Sequence, residues 1–188
     1  MRRQDLEHII RASAAIAGDH DIVIVGSQSI LGAHPDAPDE LLVSREADVF
    51  PLHHPDRADL IEGGIGEMSP FDETYGFYAQ AVGPETVIAP EGWLYRAIRV
   101  RNANTQEQTG WCMEPHDCAL AKLAAGRPKD HDFVRALLRH GLVSMEVLRD
   151  RLETMPVSKT DRARLDTTLQ ALGRAAAARH GTAPAPPR

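Results

Sequence analysis

The stretch Ile22–Ser29, with the sequence IVIVGSQS, decides the fold that we predict. Four β-branched residues in succession are typical of a strand buried on both faces. The Gly26-Ser27 pair that follows favours a tight turn, because glycine adopts backbone conformations that other residues avoid. We therefore predict a buried strand over 22–25 that turns at Gly26 into a helix.

A second stretch, Glu46–Leu52 (EADVFPL), lies about twenty residues further along the chain. In its first half, acidic residues alternate with apolar ones, as in a strand. Side chains two residues apart in a strand point to the same face. Glu46 and Asp48 would thus project two carboxylates together, on the side opposite to Ala47 and Val49. We predict a second strand over 46–52 that carries this acidic pair.

The acidic pair and the glycine turn have complementary chemistry. Two neighbouring carboxylates repel each other and raise each other's pKa unless a cation lies between them. Mg²⁺, or Mn²⁺ in its place, suits this position because it prefers oxygen ligands and usually combines one or two protein carboxylates with substrate phosphates. A glycine turn at a helix start offers backbone N–H groups to a phosphate, and the Ser27 hydroxyl adds a donor. Together these parts would hold a nucleoside triphosphate for in-line attack at its α-phosphorus.

Each motif also has an ordinary structural interpretation. A Gly-Ser pair after a strand is common, and an acidic pair on an exposed strand is more often solvated than bound to a metal. The order and spacing of the two motifs, rather than either motif alone, favour phosphoryl-group chemistry.

The remaining periodicities predict an α/β (α+β) protein, in which a small mixed sheet with flanking helices precedes a C-terminal helical bundle. An amphipathic helix should end at Gly18, and a loop should cover 33–40. The other predicted elements are a helix over 58–65, strands over 75–82, 97–101 and 111–114, and four helices that begin near residues 115, 128, 144 and 158. We divide the chain into an α/β domain (1–114), a helical appendage (115–178) and a disordered tail (179–188).

Composition limits the class of protein. The 188 residues are 43% hydrophobic and 26% charged, which is typical of one globular domain with a small appendage. No apolar run approaches the roughly 18–20 residues of a membrane span, and the N-terminal residues do not resemble a signal peptide, so we expect a cytoplasmic protein without a membrane partner. The two cysteines are too few for a disulfide framework.

The net charge of −6 is divided unevenly along the chain. Residues 36–91 contain thirteen acidic and two basic side chains, whereas residues 92–188 contain sixteen basic and ten acidic side chains. This asymmetry is compatible with a metal site in the acidic segment and a polyanion near the basic one, although solvated faces produce the same counts.

Val25-Gly26-Ser27 followed by Ser44–Val49 (SREADV) resembles the hG[GS]…[DE]h[DE]h signature of the DNA-polymerase-β-like nucleotidyltransferase superfamily. The segment 114–130 is similar to the helical region of the AbiE-type toxin nucleotidyltransferases and their uncharacterised bacterial relatives. The resemblance implies that Gly26 and Ser27 anchor phosphates and that two acidic residues, Glu46 and Asp48, bind the metal.

A lysine and an aspartate in the helical part complete the site in that group. By motif position they would be Lys122 and Asp130, with Asp132 as the alternative for the aspartate. Both also have structural interpretations, since a lysine extends readily from an amphipathic helix and an aspartate near a helix start favours the helix dipole. Arg127 and Lys129, close by, are ordinary basic residues at helix ends that could meet phosphates.

The resemblance implies a metal-dependent nucleotidyltransferase that transfers a nucleoside monophosphate from an NTP to a hydroxyl group of RNA (tRNA) or protein. A toxin–antitoxin role with an antitoxin partner would fit that group. The sequence also favours an alternative, a catalytically degenerate binding or antitoxin-like module of the same fold. The reason is that a third metal-binding carboxylate is not evident: Gln80 lies on the predicted strand 75–82, while Glu85 and Glu91 fall in turns.

Two weaker patterns indicate other metal chemistry. His53-His54 with Asp56 would favour a phosphohydrolase, and Cys112, His116 and Cys118 would need a fourth ligand from elsewhere to hold a metal.

Overall fold

The computed structural model describes residues 1–178, so the predicted disordered tail 179–188 lies outside the described residues. Its centre is a five-stranded mixed sheet in the order β3-β2-β1-β5-β4. Strand β1 pairs antiparallel with β2 and parallel with β5, β3 is parallel to β2, and β4 is antiparallel to β5. The strands are β1 (Asp21–Val25), β2 (Glu46–Pro51), β3 (Tyr78–Ala81), β4 (Ile98–Val100) and β5 (Thr109–Cys112). The predicted mixed α/β fold is confirmed.

The described residues also form eight α-helices. They are α1 (Arg3–Ala17), α2 (Ile30–Ala33), α3 (Ala58–Ile65), α4 (Pro70–Tyr75), α5 (Pro115–Ala125), α6 (Pro128–Arg139), α7 (Met145–Leu152) and α8 (Lys159–Ala178). Helix α1 ends where Gly18 takes a left-handed conformation with φ +61°, as glycine does after many helices. The last four helices form the predicted C-terminal helical region.

Helices α1 and α2 cover one face of the sheet at close range. A Cβ atom on Gly110 of β5 would lie 2.4 Å from Ile10 Cδ1 of α1. A Cβ atom on Gly32 of α2 would lie 2.4 Å from the Cβ of Cys112. Glycine at these two positions therefore lets the helices approach the strands, and the fully buried Ile24 of β1 lies beside Cys112 in the sheet.

The opposite face of the sheet is only partly covered. Side chains alternate along each strand, so Val25, Asp48 and Met113 point away from α1. Helix α5 approaches this face, and the Cys118 thiol donates a hydrogen bond to the carbonyl oxygen of Gly26 (3.1 Å). Buried apolar side chains of the sheet and of α5 to α8 belong to one continuous core. The division into domains at residue 114 stays a prediction.

Three predicted elements differ from the structure. The strand predicted over 75–82 covers only 78–81, because Ser69 and Pro70 begin a short helix whose cap, the Ser69 hydroxyl, accepts from the N–H of Asp72 (3.2 Å). The helix predicted after Gly26 is a 3₁₀ turn (27–29) followed by one turn of α-helix. Strand β5 covers 109–112 instead of 111–114, and it ends before Glu114 because Glu114 caps α5 instead of continuing the strand.

No helix within residues 1–178 combines the length and the apolar character that crossing a bilayer requires.

We predict that Gly32→Ala lowers the free energy of unfolding by about 1–3 kcal/mol, because the added methyl group must displace α2 from Cys112. The matched control is Gly63→Ala in α3, where the new Cβ atom meets open space. That variant should be more stable than the wild type by about 0.5–1 kcal/mol, since alanine favours the helix. Urea denaturation measures both effects, and equal stability of the two variants would contradict the close packing of α2.

Candidate functional site

A cavity of about 380 Å³ opens on the partly covered face, where β1 and β5 end. Its polar lining includes Gly26, Glu46, Asp48, Gln80, Thr86, Lys122 and Arg127. The rest of the wall is mainly apolar and includes Val82, Val87, Ile88, Met113 and Ala121. The cavity therefore has both charged and apolar walls, and its size is that of small-molecule sites.

Gly26 lies against the carboxylate of Asp48. Its backbone has φ +68° and ψ −165°, a conformation open essentially only to glycine. A Cβ atom here would lie 1.9 Å from Asp48 Oδ2. The Gly26 carbonyl oxygen accepts from the Ser29 hydroxyl (2.8 Å) as well as from Cys118. The glycine turn is therefore fixed on one side by the acidic strand and on the other by α5.

Glu46 and Asp48 both face the cavity, as their spacing predicts. Burial raises the pKa of the Asp48 carboxyl, and the negative charge of Glu46 raises it further, while Lys122, Arg127 and Lys129 act in the opposite direction. Two oxygen-donor groups that repel each other fit a hard divalent cation, which would relieve the repulsion.

Strand β3 places one polar residue beside each of these acids. In the parallel pairing of β2 and β3, Tyr78 lies opposite Glu46 and Gln80 lies opposite Asp48. The Tyr78 hydroxyl donates to Glu46 Oε2 (3.1 Å). Burial and the adjacent Glu46 charge raise the pKa of Tyr78 to about 12, so this hydroxyl keeps its proton at neutral pH. Gln80 is exposed to the cavity.

Lys122 reaches the cavity from α5 and is held by a buried aspartate. Lys122 Nζ lies 3.2 Å from Asp130 Oδ1, and Arg127 Nε donates to Asp130 Oδ2 (2.7 Å). Asp130 is 1% exposed. Burial by itself would raise the pKa of the Asp130 carboxyl, but the bonds with Arg127 and Lys122 hold it below its usual value. Asp130 thus orients two cations without lining the cavity itself.

The other candidates near this site have different surroundings. Ser27 is half-buried at the start of the 3₁₀ turn and is not among the residues that line the cavity. Asp132 pairs with Arg135 at the protein surface, so Asp130, rather than Asp132, is the aspartate that contacts Lys122. Arg127, which the sequence offered as an ordinary basic residue that could meet phosphates, lines the cavity. Its spacing of three residues from Asp130, across the start of α6, is the signal that could have identified it.

A second group of possible metal ligands lies at the other end of β1. Asp19, Asp21 and His53 each offer one ligand atom, and these three atoms lie within 4.8 Å of one another. The three side chains could therefore hold a metal ion. Asp19 already accepts from the backbone N–H groups of Asp21, His53 and His54 (3.1, 2.7 and 3.1 Å). These bonds, against the effect of burial, lower the pKa of the Asp19 carboxyl. Asp19 therefore also has a structural role in joining β1 to the end of β2.

Within residues 1–178, the side chains of each of the two weaker sequence patterns do not converge on a metal site. His53 pairs with Asp21 rather than with Asp56. Cys112 is buried under α2, whereas Cys118 bonds to Gly26 and His116 bonds to Glu114 (2.7 Å).

Comparison with known proteins identifies one family. A family model described as "Nucleotidyltransferase of unknown function (DUF6036)" matches residues 4–171. Neither a curated protein nor a solved structure matches the chain.

We predict that Asp48→Asn raises the free energy of unfolding at pH 7 by about 1 kcal/mol in the absence of divalent cations, because it removes a buried charge that Glu46 repels. The folded state keeps the Asp48 proton to a higher pH than the unfolded state does. Wild-type stability therefore falls as the pH rises from the ordinary pKa of 3.8 through the raised value, and the advantage of the variant should shrink at acid pH.

Thermal unfolding of the wild type and of Asp48→Asn, each with and without Mg²⁺, is the second measurement. Mg²⁺ should raise the melting temperature of the wild type more than that of Asp48→Asn, since a ligand of the folded state stabilises it. If Asp48→Asn is less stable than the wild type at pH 7, at equal ionic strength without Mg²⁺, the inferred repulsion between Glu46 and Asp48 is contradicted.

Proposed function

The chain belongs to the DUF6036 family of nucleotidyltransferases, and from this premise we propose that it transfers a nucleoside monophosphate from an NTP to a hydroxyl group of RNA or protein. One observation supports the proposal most strongly: Gly26, the Glu46–Asp48 pair and Lys122 line the same cavity. Phosphoryl transfer needs this combination, because its catalysis consists mainly of positioning and charge neutralisation.

In the proposed mechanism, Glu46 and Asp48 hold a divalent cation, Mg²⁺ or Mn²⁺. When bound, this cation neutralises phosphate charge and favours attack at the α-phosphorus. The Gly26 backbone, which lines the cavity, lies next to the triphosphate, and Ser27 supplies a donor at the edge of the turn. Lys122 and Arg127, held by Asp130, neutralise the outer phosphates.

The reaction balances as a displacement at phosphorus. The acceptor oxygen forms a bond to the α-phosphorus, while the bond from that phosphorus to the bridging oxygen breaks. The electron pair leaves with pyrophosphate, and the acceptor proton passes to water at the open mouth of the cavity. The apolar wall formed by Val87, Ile88 and Met113 receives the nucleoside.

We also propose an RNA acceptor, a tRNA 3′ end, with a protein hydroxyl as the second choice. The support is the excess of basic residues in 92–188, because affinity for a nucleic-acid backbone is built from Lys and Arg. The similarity of segment 114–130 to the AbiE-type toxins supports the further proposal of a toxin–antitoxin pair, in which an antitoxin would be the protein partner, in the cytoplasm.

The decisive experiment incubates the protein with each α-labelled NTP, Mg²⁺ or Mn²⁺, and either total tRNA or cell lysate. We expect transfer of label to one acceptor class. Asp48→Asn should lower the rate by about 100-fold or more, the scale of a lost electrostatic contact in a transition state. The matched control is Asp132→Asn, which removes an exposed carboxylate of α6 and should leave the rate unchanged.

The competing candidate is a catalytically degenerate binding module of the same fold. It is favoured by Gln80, which stands beside Asp48 where β3 could have supplied a further carboxylate. Absence of label transfer from every NTP, together with capture of a stable protein partner, would support the module. Release of inorganic phosphate from a γ-labelled NTP, lost in His53→Gln, would instead support a phosphohydrolase.

Gln80 also yields a prediction about the cation. Gln80→Glu should tighten Mn²⁺ binding, because it adds an oxygen anion across the strand from Asp48. Gln80→Leu, which has a similar size and no ligand atom, is the matched control. Calorimetric titration with Mn²⁺ measures both, and equal dissociation constants for the two variants would show that this strand position does not reach the cation.

A further inference from the structure

Glu46 makes a contact that Asp48 lacks. Its Oε2 atom accepts a hydrogen bond from the Tyr78 hydroxyl at 3.1 Å. The two residues face each other across the β2–β3 pair. Tyr78 does not line the cavity, so its hydroxyl can influence a bound ligand only through Glu46.

The Tyr78 ring is itself held in place from behind. The Arg45 guanidinium lies 6.0 Å from the centre of the ring, within the range of a cation–π contact. Arg45 Nε donates to the carbonyl oxygen of Gly76 (2.9 Å), and its terminal nitrogen pairs with the carboxylate of Asp72. Asp72 is buried and also accepts from the backbone N–H of Met68 (3.2 Å). The segment between β2 and β3 therefore fixes Arg45, and Arg45 restricts Tyr78.

We propose that Tyr78 is a positioning residue of the divalent-cation site: it holds one oxygen of Glu46 so that the other oxygen, Oε1, binds the cation. This inference rests on the proposed function, in which Glu46 and Asp48 are the protein ligands. A carboxylate that presents a single oxygen suits the octahedral geometry of Mg²⁺. Hydrogen bonds to a ligating carboxylate orient it and typically change metal affinity by 10–100-fold.

A positioning role and a purely structural role of Tyr78 predict different effects of substitution. Tyr78→Phe removes the hydroxyl and keeps the ring, so the packing against Arg45 should survive. The loss should then appear in the affinity of Glu46 for the cation, and it should disappear when Glu46 can no longer act as an anionic ligand.

The test measures Mn²⁺ binding in the absence of nucleotide, by electron paramagnetic resonance and by calorimetry. We expect Tyr78→Phe to raise the dissociation constant by about 10–100-fold. The matched control, Tyr95→Phe, loses a hydroxyl from a side chain that is 99% exposed, and it should bind as the wild type does. In a Glu46→Gln background, Tyr78→Phe should change the dissociation constant by less than about twofold, because the two substitutions remove the same interaction.

The outcomes separate this inference from the function on which it rests. Wild-type binding that is lost in Asp48→Asn but unchanged in Tyr78→Phe overturns the role of Tyr78 and leaves the cation site in place. An equal loss on Tyr78→Phe in the wild-type and Glu46→Gln backgrounds shows a general structural effect and also overturns it. Wild-type protein that binds no Mn²⁺, while its circular dichroism spectrum shows a folded state, overturns the cation site and this inference together.

Discussion

The close approach of the Gly26 backbone to the Asp48 carboxylate is the constraint on which the rest of the site depends. Antiparallel pairing places Val25 beside Asp48, so the end of β1 and the acidic strand share one ladder. A Cβ atom on Gly26 would occupy the place of Asp48 Oδ2. The turn after β1 and the acidic pair are therefore not independent motifs. Their geometry is set by one strand pairing and by the absence of one side chain.

Such a site carries a cost in stability, and the surrounding helices offset part of it. The Asp48 charge is disfavoured by burial and by Glu46, which is why the pKa of its carboxyl is raised. The compensating cations, Lys122 and Arg127, come from the helices that follow the sheet, and both are shared with Asp130. Because the two cations are shared with Asp130, they offset the charge of the acidic pair only in part. This balance is typical of sites that bind a cation together with an anionic ligand.

The sequence predicted those parts of the site that depend on local spacing. The run of β-branched residues identified β1, the two-residue spacing placed Glu46 and Asp48 on one face, and the mixed sheet and the helical C-terminal region followed from periodicity. It missed the contacts set by register between distant segments. Tyr78 lies opposite Glu46 only because β3 pairs in parallel with β2 at that register. Helix α4 was missed because its six residues are too few to show a helical period.

The uneven distribution of charge along the chain acquires a physical meaning in the cavity. The acidic segment contributes Glu46 and Asp48, and the basic segment contributes Lys122 and Arg127. These four lining side chains carry two formal negative and two formal positive charges, and the buried Asp130 shares both cations. A triphosphate alone would therefore meet repulsion from the acidic pair, whereas a divalent cation alone would enter without the phosphate ligands that complete its coordination. Each should bind more tightly when the other is present, and by linkage the two affinities must rise by the same factor. Under the proposed function, cation and nucleotide would therefore bind as one unit.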